Sequence, residues 1–248
     1  MTDFSDDVAV VTGGTRGIGR AVVERLAEGG ATVVATSHDD ETAAERTADE
    51  LADYPGEVAV ERFDVADFAE VEAAFEVIAE TYGSPTVLVN NAGIMDNGLL
   101  VRMGPTQWQR VIDTNLTGPF YCTREAARLM LRAGEGGRIV NVASVAAKRG
   151  WAGQANYAAS KAGLIGLTRA AARELGGKDV RVNAVAPGYT DTSLLEDVRG
   201  YEEFVTENAA SGRVASPEEI ADVVAFLASE DASYVNGEVV RVDDGLLG

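Results

Sequence analysis

The chain is poorest in the residues that carry metal, redox and nucleophilic chemistry. Of 248 residues one is a cysteine, Cys122, and one a histidine, His38. A single thiol cannot form an internal disulfide, which fits an intracellular, cytoplasmic setting; Cys122 reads as a small core residue. A single imidazole removes Ser-His-Asp catalysis and histidine-rich metal sites, so no metal is expected. Proline is scarce, at 6, and Met1 to Asp7 is acidic where a secretory leader would be basic. No uninterrupted apolar run approaches the ~18 residues of a membrane span. Lysine is nearly missing as well: 18 arginines stand against three lysines, Lys148, Lys161 and Lys178.

Negative charge, by contrast, is plentiful. Forty acidic residues outnumber 21 basic ones, a net charge of -19. Such a surface repels nucleic acid and anionic lipid, so neither is an expected partner. Its self-repulsion eases as salt screens it, and with the shortage of lysine this points to a salt-adapted, halophilic source.

Apolar content of 46% suits one sizeable core, and no linker or repeat divides residues 1–248. Short Val- and Ile-rich runs at Val8–Thr12, Ala31–Thr36, Val58–Phe63, Thr86–Asn90, Arg138–Ala143, Val180–Val185 and Glu238–Val242 read as buried parallel strands. Amphipathic stretches at 17–29, 40–53, 67–82, 105–133, 155–176 and 216–229 separate them. The alternation predicts an α/β fold, a doubly wound seven-stranded parallel sheet with helices on both faces. Residues 188–215 break the rhythm and are the expected lid over a site.

The first strand runs into Thr12-Gly13-Gly14-Thr15-Arg16-Gly17-Ile18-Gly19, which opens the first helix. Glycines there allow a sharp turn and close approach to a pyrophosphate, which the helix N-terminus favours. Asp64-Val65 ends the third strand, where the carboxylate can accept from an adenine amino group. Asn91-Ala92-Gly93 ends the fourth, where small residues let a dinucleotide lie against the sheet. At the end of the second strand, where NAD sites carry a carboxylate, stand Ser37 and His38. Ser37 would not repel a 2′-phosphate and Arg16 can pair with one, so NADP(H) is favoured over NAD(H), although Asp39 and Asp40 follow closely.

Ser144 ends the fifth strand, and Tyr157 and Lys161 follow on one face of a helix at i, i+4. A fixed ammonium near a phenol of pKa about 10 lowers it by roughly 1 to 3 units, toward acid/base use. Ser144 would hold the substrate oxygen. In a chain that otherwise chooses Arg, a lysine here suggests a need for a compact ammonium.

These motifs, with Asn115 and Pro187-Gly188, make the sequence resemble the short-chain dehydrogenase/reductase family over essentially its whole length. The resemblance implies a catalytic tetrad of Asn115, Ser144, Tyr157 and Lys161, with Asn115 holding a water that links Lys161 to solvent. It also implies that Tyr157, Lys161, Pro187, Gly188, Thr190 and Thr192 contact the nicotinamide end, and that the chain forms a homotetramer through 105–133 and 155–176. Two departures stand out. Thr190 replaces the usual Ile or Val, and Val242-Asp243-Asp244-Gly245 replaces Asp-Gly-Gly.

Gln154-Ala155-Asn156-Tyr157-Ala158-Ala159-Ser160-Lys161 and Phe226-Leu227-Ala228-Ser229 look like the 3-oxoacyl reductases of that family. The expected substrate is therefore a 3-oxoacyl thioester. The acidic surface disfavours docking of an acidic carrier protein and leans toward acetoacetyl-CoA. A sugar or secondary-alcohol dehydrogenase would share every catalytic residue. A silent dinucleotide sensor would not need all four.

The charge reading carries its own test. The melting temperature should rise from 0.1 to 2 M KCl, because the Debye length falls from about 10 Å at 0.1 M to about 3 Å at 1 M. A flat or falling profile measured by calorimetry would refute salt adaptation.

Overall fold

The computed structural model describes residues 2–38, 41–195 and 200–247. In chain order the elements are β1 (Val8–Val11), α1 (Gly17–Glu28), β2 (Thr32–Ser37), α2 (Glu41–Glu50), β3 (Val58–Arg62) and α3 (Phe68–Thr81). After them come β4 (Val87–Asn90), α4 (Pro105–Ile112), α5 (Gly118–Ala133), β5 (Gly137–Val142), the one-turn α6 (Ala146–Arg149) and α7 (Ala155–Leu175). The chain ends with β6 (Val180–Pro187), α8 (Tyr201–Asn208), α9 (Pro217–Ala228) and β7 (Val239–Val242). Every predicted strand is present, with its ends within two residues of expectation.

The strands form one parallel seven-stranded sheet in the order β3-β2-β1-β4-β5-β6-β7. Alternate residues of each strand feed opposite cores, as the two-residue period dictates. Ala9, Val11, Val33, Val89 and Val140 pack beneath α1 and α9, where Val22, Leu26, Ile220 and Leu227 are fully buried. Val10, Val34, Leu88 and Ile139 face the other way, against Phe75 and Ile78 of α3 and Met130 of α5. Two-sided burial is why these strands read as continuous apolar runs.

The order reverses between β1 and β4, which opens a crevice at their carboxyl ends. Thr12 closes its floor. Its Oγ1 accepts from the backbone N–H groups of Asn91 and Ala92, both at 3.0 Å. In return Asn91 Nδ2 donates to the carbonyls of Thr12 (2.9 Å) and Gly13 (3.0 Å).

The expected single helix over 105–133 is two helices joined by a π-turn at Asp113–Thr117. Pro119 accounts for the break. It has no N–H for the carbonyl of Asn115, and its ring clashes there in a regular helix, so the backbone widens by one residue. The sequence carried this signal in Gly118-Pro119, inside an otherwise helical pattern.

The start of α9 forms as expected, with Ser216 and Glu219 in a reciprocal capping box. Within 188–215 lie a 3₁₀ turn at Ser193–Leu195 and α8; the segment's residues 196–199 lie outside the described residues, as do Asp39 and Asp40. The altered C-terminal motif has a structural use. Asp244 takes up φ +50, and its carboxylate accepts from Ser211 N at 2.6 Å while its carbonyl accepts from Ala210 N. It thus moors the far end of the 188–215 segment to the strand edge.

Thr12→Val keeps the shape of the crevice floor but leaves two amide donors without their acceptor. We expect a loss of about 2–3 kcal/mol in denaturant unfolding. A loss below about 0.5 kcal/mol would show that the lock is dispensable.

Candidate active site

A cleft of about 810 Å³ runs along the carboxyl ends of the strands, within the roughly 300–1,000 Å³ usual for cofactor and substrate sites. It brings together nearly all of the residues expected from sequence: Gly13, Thr15, Arg16, Gly17, Ile18, Ser37, His38, Asp64, Val65, Asn91, Ala92, Gly93, Ser144, Tyr157, Lys161, Pro187, Gly188, Thr190 and Thr192.

Gly19 and Asn115 do not line it. Gly19 is a packing glycine: a Cβ there would stand 2.1 Å from Gly13 O and 2.4 Å from Asn91 Nδ2. Asn115, carried on the π-turn and fully buried, clamps the backbone of Ile94. Its Oδ1 accepts from Ile94 N and its Nδ2 donates to Ile94 O, both at 2.9 Å. It sits beside Lys161 nonetheless, because a Cβ built on Gly93 would lie 3.4 Å from Asn115 Oδ1 and 3.5 Å from Lys161 Nζ.

The end built from β1 and β2 has the chemistry of an anion site. The N-cap residue of α1, Arg16, is extended and makes no side-chain cap, whereas Asp67 caps α3 and Ser216 caps α9. The open end of α1 faces the cleft at Gly17 and Ile18, so its amides and dipole are directed at whatever lies there. Gly17 holds φ +54, and a Cβ on it would press on Thr192 at 3.2 Å. Asp64 is oriented by Ala66 N, which donates to its Oδ1 at 2.8 Å. These features fit a dinucleotide.

At the other end Ser144, just past β5, accepts from Ala146 N at 3.1 Å through its Oγ. Lys161 is 4% exposed, and its Nζ donates to Val142 O at 2.8 Å, which ties α7 to the end of β5. Burial pulls its ammonium down from 10.5 to about 8. The tyrosine differs from expectation. Desolvation pushes the Tyr157 phenol up, and the Ser144 hydroxyl pulls it only part of the way back. Lys161 does not lower it here, because the ammonium is turned to the Val142 carbonyl and lies 5.8 Å from the centre of the phenol ring.

Sequence reasoning did not single out the substrate-side wall. Met95, Trp151, Gln154, Tyr189 and Leu195 line it, and Trp151 meets Tyr189 edge-on at 6.0 Å. Met95 follows β4, Trp151 and Gln154 lead into α7, and Tyr189 and Leu195 belong to the 188–215 segment, so no common spacing marks them.

This fold and cleft define an NAD(P)-dependent oxidoreductase acting on CH–OH groups. A family model described as Enoyl-(Acyl carrier protein) reductase matches residues 13–247. The 3-oxoacyl-acyl-carrier-protein reductase FabG of Vibrio cholerae is 42% identical over 96% of each chain. That of Thermotoga maritima is 42% identical over 97% of each, and that of Escherichia coli 39% identical over 98% of each. Among solved structures, a short-chain type dehydrogenase/reductase from Mycobacterium marinum superimposes with a TM-score of 0.94 at 34% identity, covering 99% of this chain and 97% of its own. An Agrobacterium tumefaciens protein provisionally assigned as a gluconate dehydrogenase gives 0.95 at 34%, covering 99% and 98%. The chain belongs to the short-chain dehydrogenase/reductase family.

Burying the Lys161 ammonium costs stability. Its folded pKa, about 8, lies below its ordinary 10.5. The cost is therefore full below pH 8 and disappears as pH rises toward 10.5, and a shift of this size is worth about 3 kcal/mol. Lys161→Met removes that cost while giving up one hydrogen bond worth about 1 kcal/mol. The variant should melt several degrees higher at pH 7, with the gain shrinking toward pH 10. A lower melting temperature at pH 7 would contradict this.

Proposed function

We propose that this protein reduces 3-oxoacyl thioesters, acetoacetyl-CoA among them, to 3-hydroxyacyl thioesters with NADPH. One observation carries the reading: a single cleft joins an uncapped helix end, suited to a pyrophosphate, to Ser144, Tyr157 and Lys161. The FabG relatives supply the substrate class. NADPH bound in the cleft supplies the hydride. Arg16, Ser37 and His38 would receive its 2′-phosphate, Asp64 and Val65 its adenine, and Pro187, Gly188, Thr190 and Thr192 its carboxamide.

Ser144 and Tyr157 act as a pair on the substrate oxygen. The Ser144 hydroxyl donates to the carbonyl and holds it beside the Tyr157 phenol. Tyr157 then gives its proton to the oxygen as negative charge develops there. Because burial raises the phenol above 10, it stays protonated at neutral pH, the form that reduction requires. Lys161 orients α7 on β5 through its bond to the Val142 carbonyl and holds the nicotinamide ribose. Asn115 fixes the segment after Gly93 and, through a water, connects Lys161 to solvent. Tyr189 and Leu195 of the 188–215 segment face the cleft and would cover the bound substrate.

The CoA thioester is preferred because a surface of net charge -19 disfavours docking of an acidic carrier protein. Exposed Phe120 and Leu131 on α5 support assembly into a homotetramer through that helix.

Initial rates with acetoacetyl-CoA, a longer 3-oxoacyl thioester and glucose, each with NADPH and NADH in high salt, test the assignment. We expect NADPH with a thioester to give the highest kcat/KM. Tyr157→Phe should fold and bind NADPH while kcat falls at least about 100-fold. Retention of a tenth of the activity would sink the acid role. Oxidation of 3-hydroxybutyryl-CoA needs the phenolate, so its rate should climb toward pH 10 while reduction does not; an oxidation limb centred below pH 7 would contradict the tyrosine assignment.

A further inference from the structure

Lys148 and Arg149 end α6, the single turn that leads from Ser144 to Trp151. Burial falls off along this turn: Val145 and Ala146 are buried, Lys148 and Arg149 exposed. Although the chain carries 40 carboxylate side chains, none lies within ion-pair range of either cation among the described residues.

Arg149 is nevertheless held in place. Its guanidinium lies over the rings of Phe204, at 4.4 Å, and Trp151, at 5.5 Å. Trp151 and Tyr189 line the same cleft as Ser144 and Tyr157, and Arg149 is close enough to Tyr189 to counter the upward push of burial on its phenol. A guanidinium stacked on aromatic faces keeps its in-plane N–H donors available, in the fork geometry that suits phosphate oxygens. The result is a fixed, uncompensated guanidinium with a second exposed cation beside it on a strongly acidic protein, four and five positions along the chain from the residue proposed to hold the reacting carbonyl.

We propose that Lys148 and Arg149 bind the phosphate of the substrate's pantetheine arm. The inference rests on the thioester reading above and extends it. A 3-oxoacyl thioester has no charge near its reacting carbon; its nearest formal charge is the phosphate at the far end of the arm. The arm carries that phosphate out of the cleft toward solvent, and the two exposed cations stand beside Trp151 of the cleft wall. A surface of net charge -19 repels such a substrate at long range, so a local cationic pair at the entrance sets capture. The same phosphate chemistry occurs in coenzyme A and in the prosthetic arm of a carrier protein.

The test compares acetoacetyl-CoA with acetoacetyl-N-acetylcysteamine, the same thioester without a phosphate, on Arg149→Gln and Lys148→Gln. We expect KM for the CoA ester to rise about tenfold in the double variant with kcat unchanged, and KM for the short thioester to stay within twofold. Lys148→Gln leaves the aromatic stack intact and should still raise KM for the CoA ester about threefold, so loosening of the lid cannot mimic the result. A parallel loss with acetoacetyl-carrier protein assigns the shared arm phosphate, whereas a loss confined to the CoA ester, assigning the nucleotide phosphates instead, overturns the arm assignment. Equal losses on both small thioesters would reduce the pair to a clasp between loop and lid, and no loss on the CoA ester would equally overturn the proposal. A wild-type enzyme that turned over neither small thioester would overturn the substrate reading itself, and the clamp with it.

Discussion

The reciprocal bonding of Thr12 and Asn91 is the constraint on which the rest of the site depends. It joins the exits of β1 and β4 at the one place where the sheet changes direction. A doubly wound sheet opens a crevice at that point because neighbouring chains leave it on opposite faces. Held apart without cross-bonds, the two exits would carry unsatisfied amides and carbonyls at the edge of a dry core. With the lock made, the glycine turn approaches the sheet closely, and α1 starts with its amides directed into the cleft. Gly19 then has to be glycine, because α1 comes too near the turn for any side chain.

The other end of the cleft rests on polar groups buried at some cost. Asn90 Nδ2 donates to Asn141 Oδ1 (2.8 Å) and Thr123 Oγ1 (3.0 Å), and Asn141 Nδ2 donates to Thr168 Oγ1 (2.9 Å). This chain of amides links β4 and β5 to α5 and α7 behind the site. Together with the Lys161–Val142 bond it fixes the register of α7 against β5, and so the separation of Tyr157 from Ser144. Apolar packing alone would tolerate small slides; directional bonds in a low-dielectric interior do not. The same desolvation pushes the Tyr157 phenol upward, so the burial that makes these bonds directional also favours its protonated form.

Much of this was legible in the sequence, and the exceptions have physical reasons. Strands β1 to β7 announced themselves because two-sided burial demands unbroken apolar runs. Most of the residues that line the cleft were legible because they sit at or just beyond strand exits, where a doubly wound sheet opens its crevice. The π-turn at Asp113–Thr117 was missed because one extra residue per turn hardly alters an apolar period. The behaviour of Tyr157 was misjudged because the partner of Lys161 is a backbone carbonyl 19 positions away, and a backbone carbonyl leaves no mark in the identity of Val142. Trp151, Tyr189 and Phe204 escaped notice because tertiary packing brings together residues from separate segments, and no spacing rule joins them.

The pairing of α1 with α9 has a consequence for how the protein is made. Arg25 of α1 bonds Asp222 of α9 across 197 positions of sequence, and Val22 and Leu26 share one core with Ile220, Val224 and Leu227 of that helix. At translation rates of ~5–20 residues per second, the apolar face of α1 waits about 10 to 40 s for its cover. During that interval β1, β2 and β3 can pair, but one side of them stays greasy and wet. The apolar face of α1 is thus exposed to wrong partners during synthesis until α9 emerges.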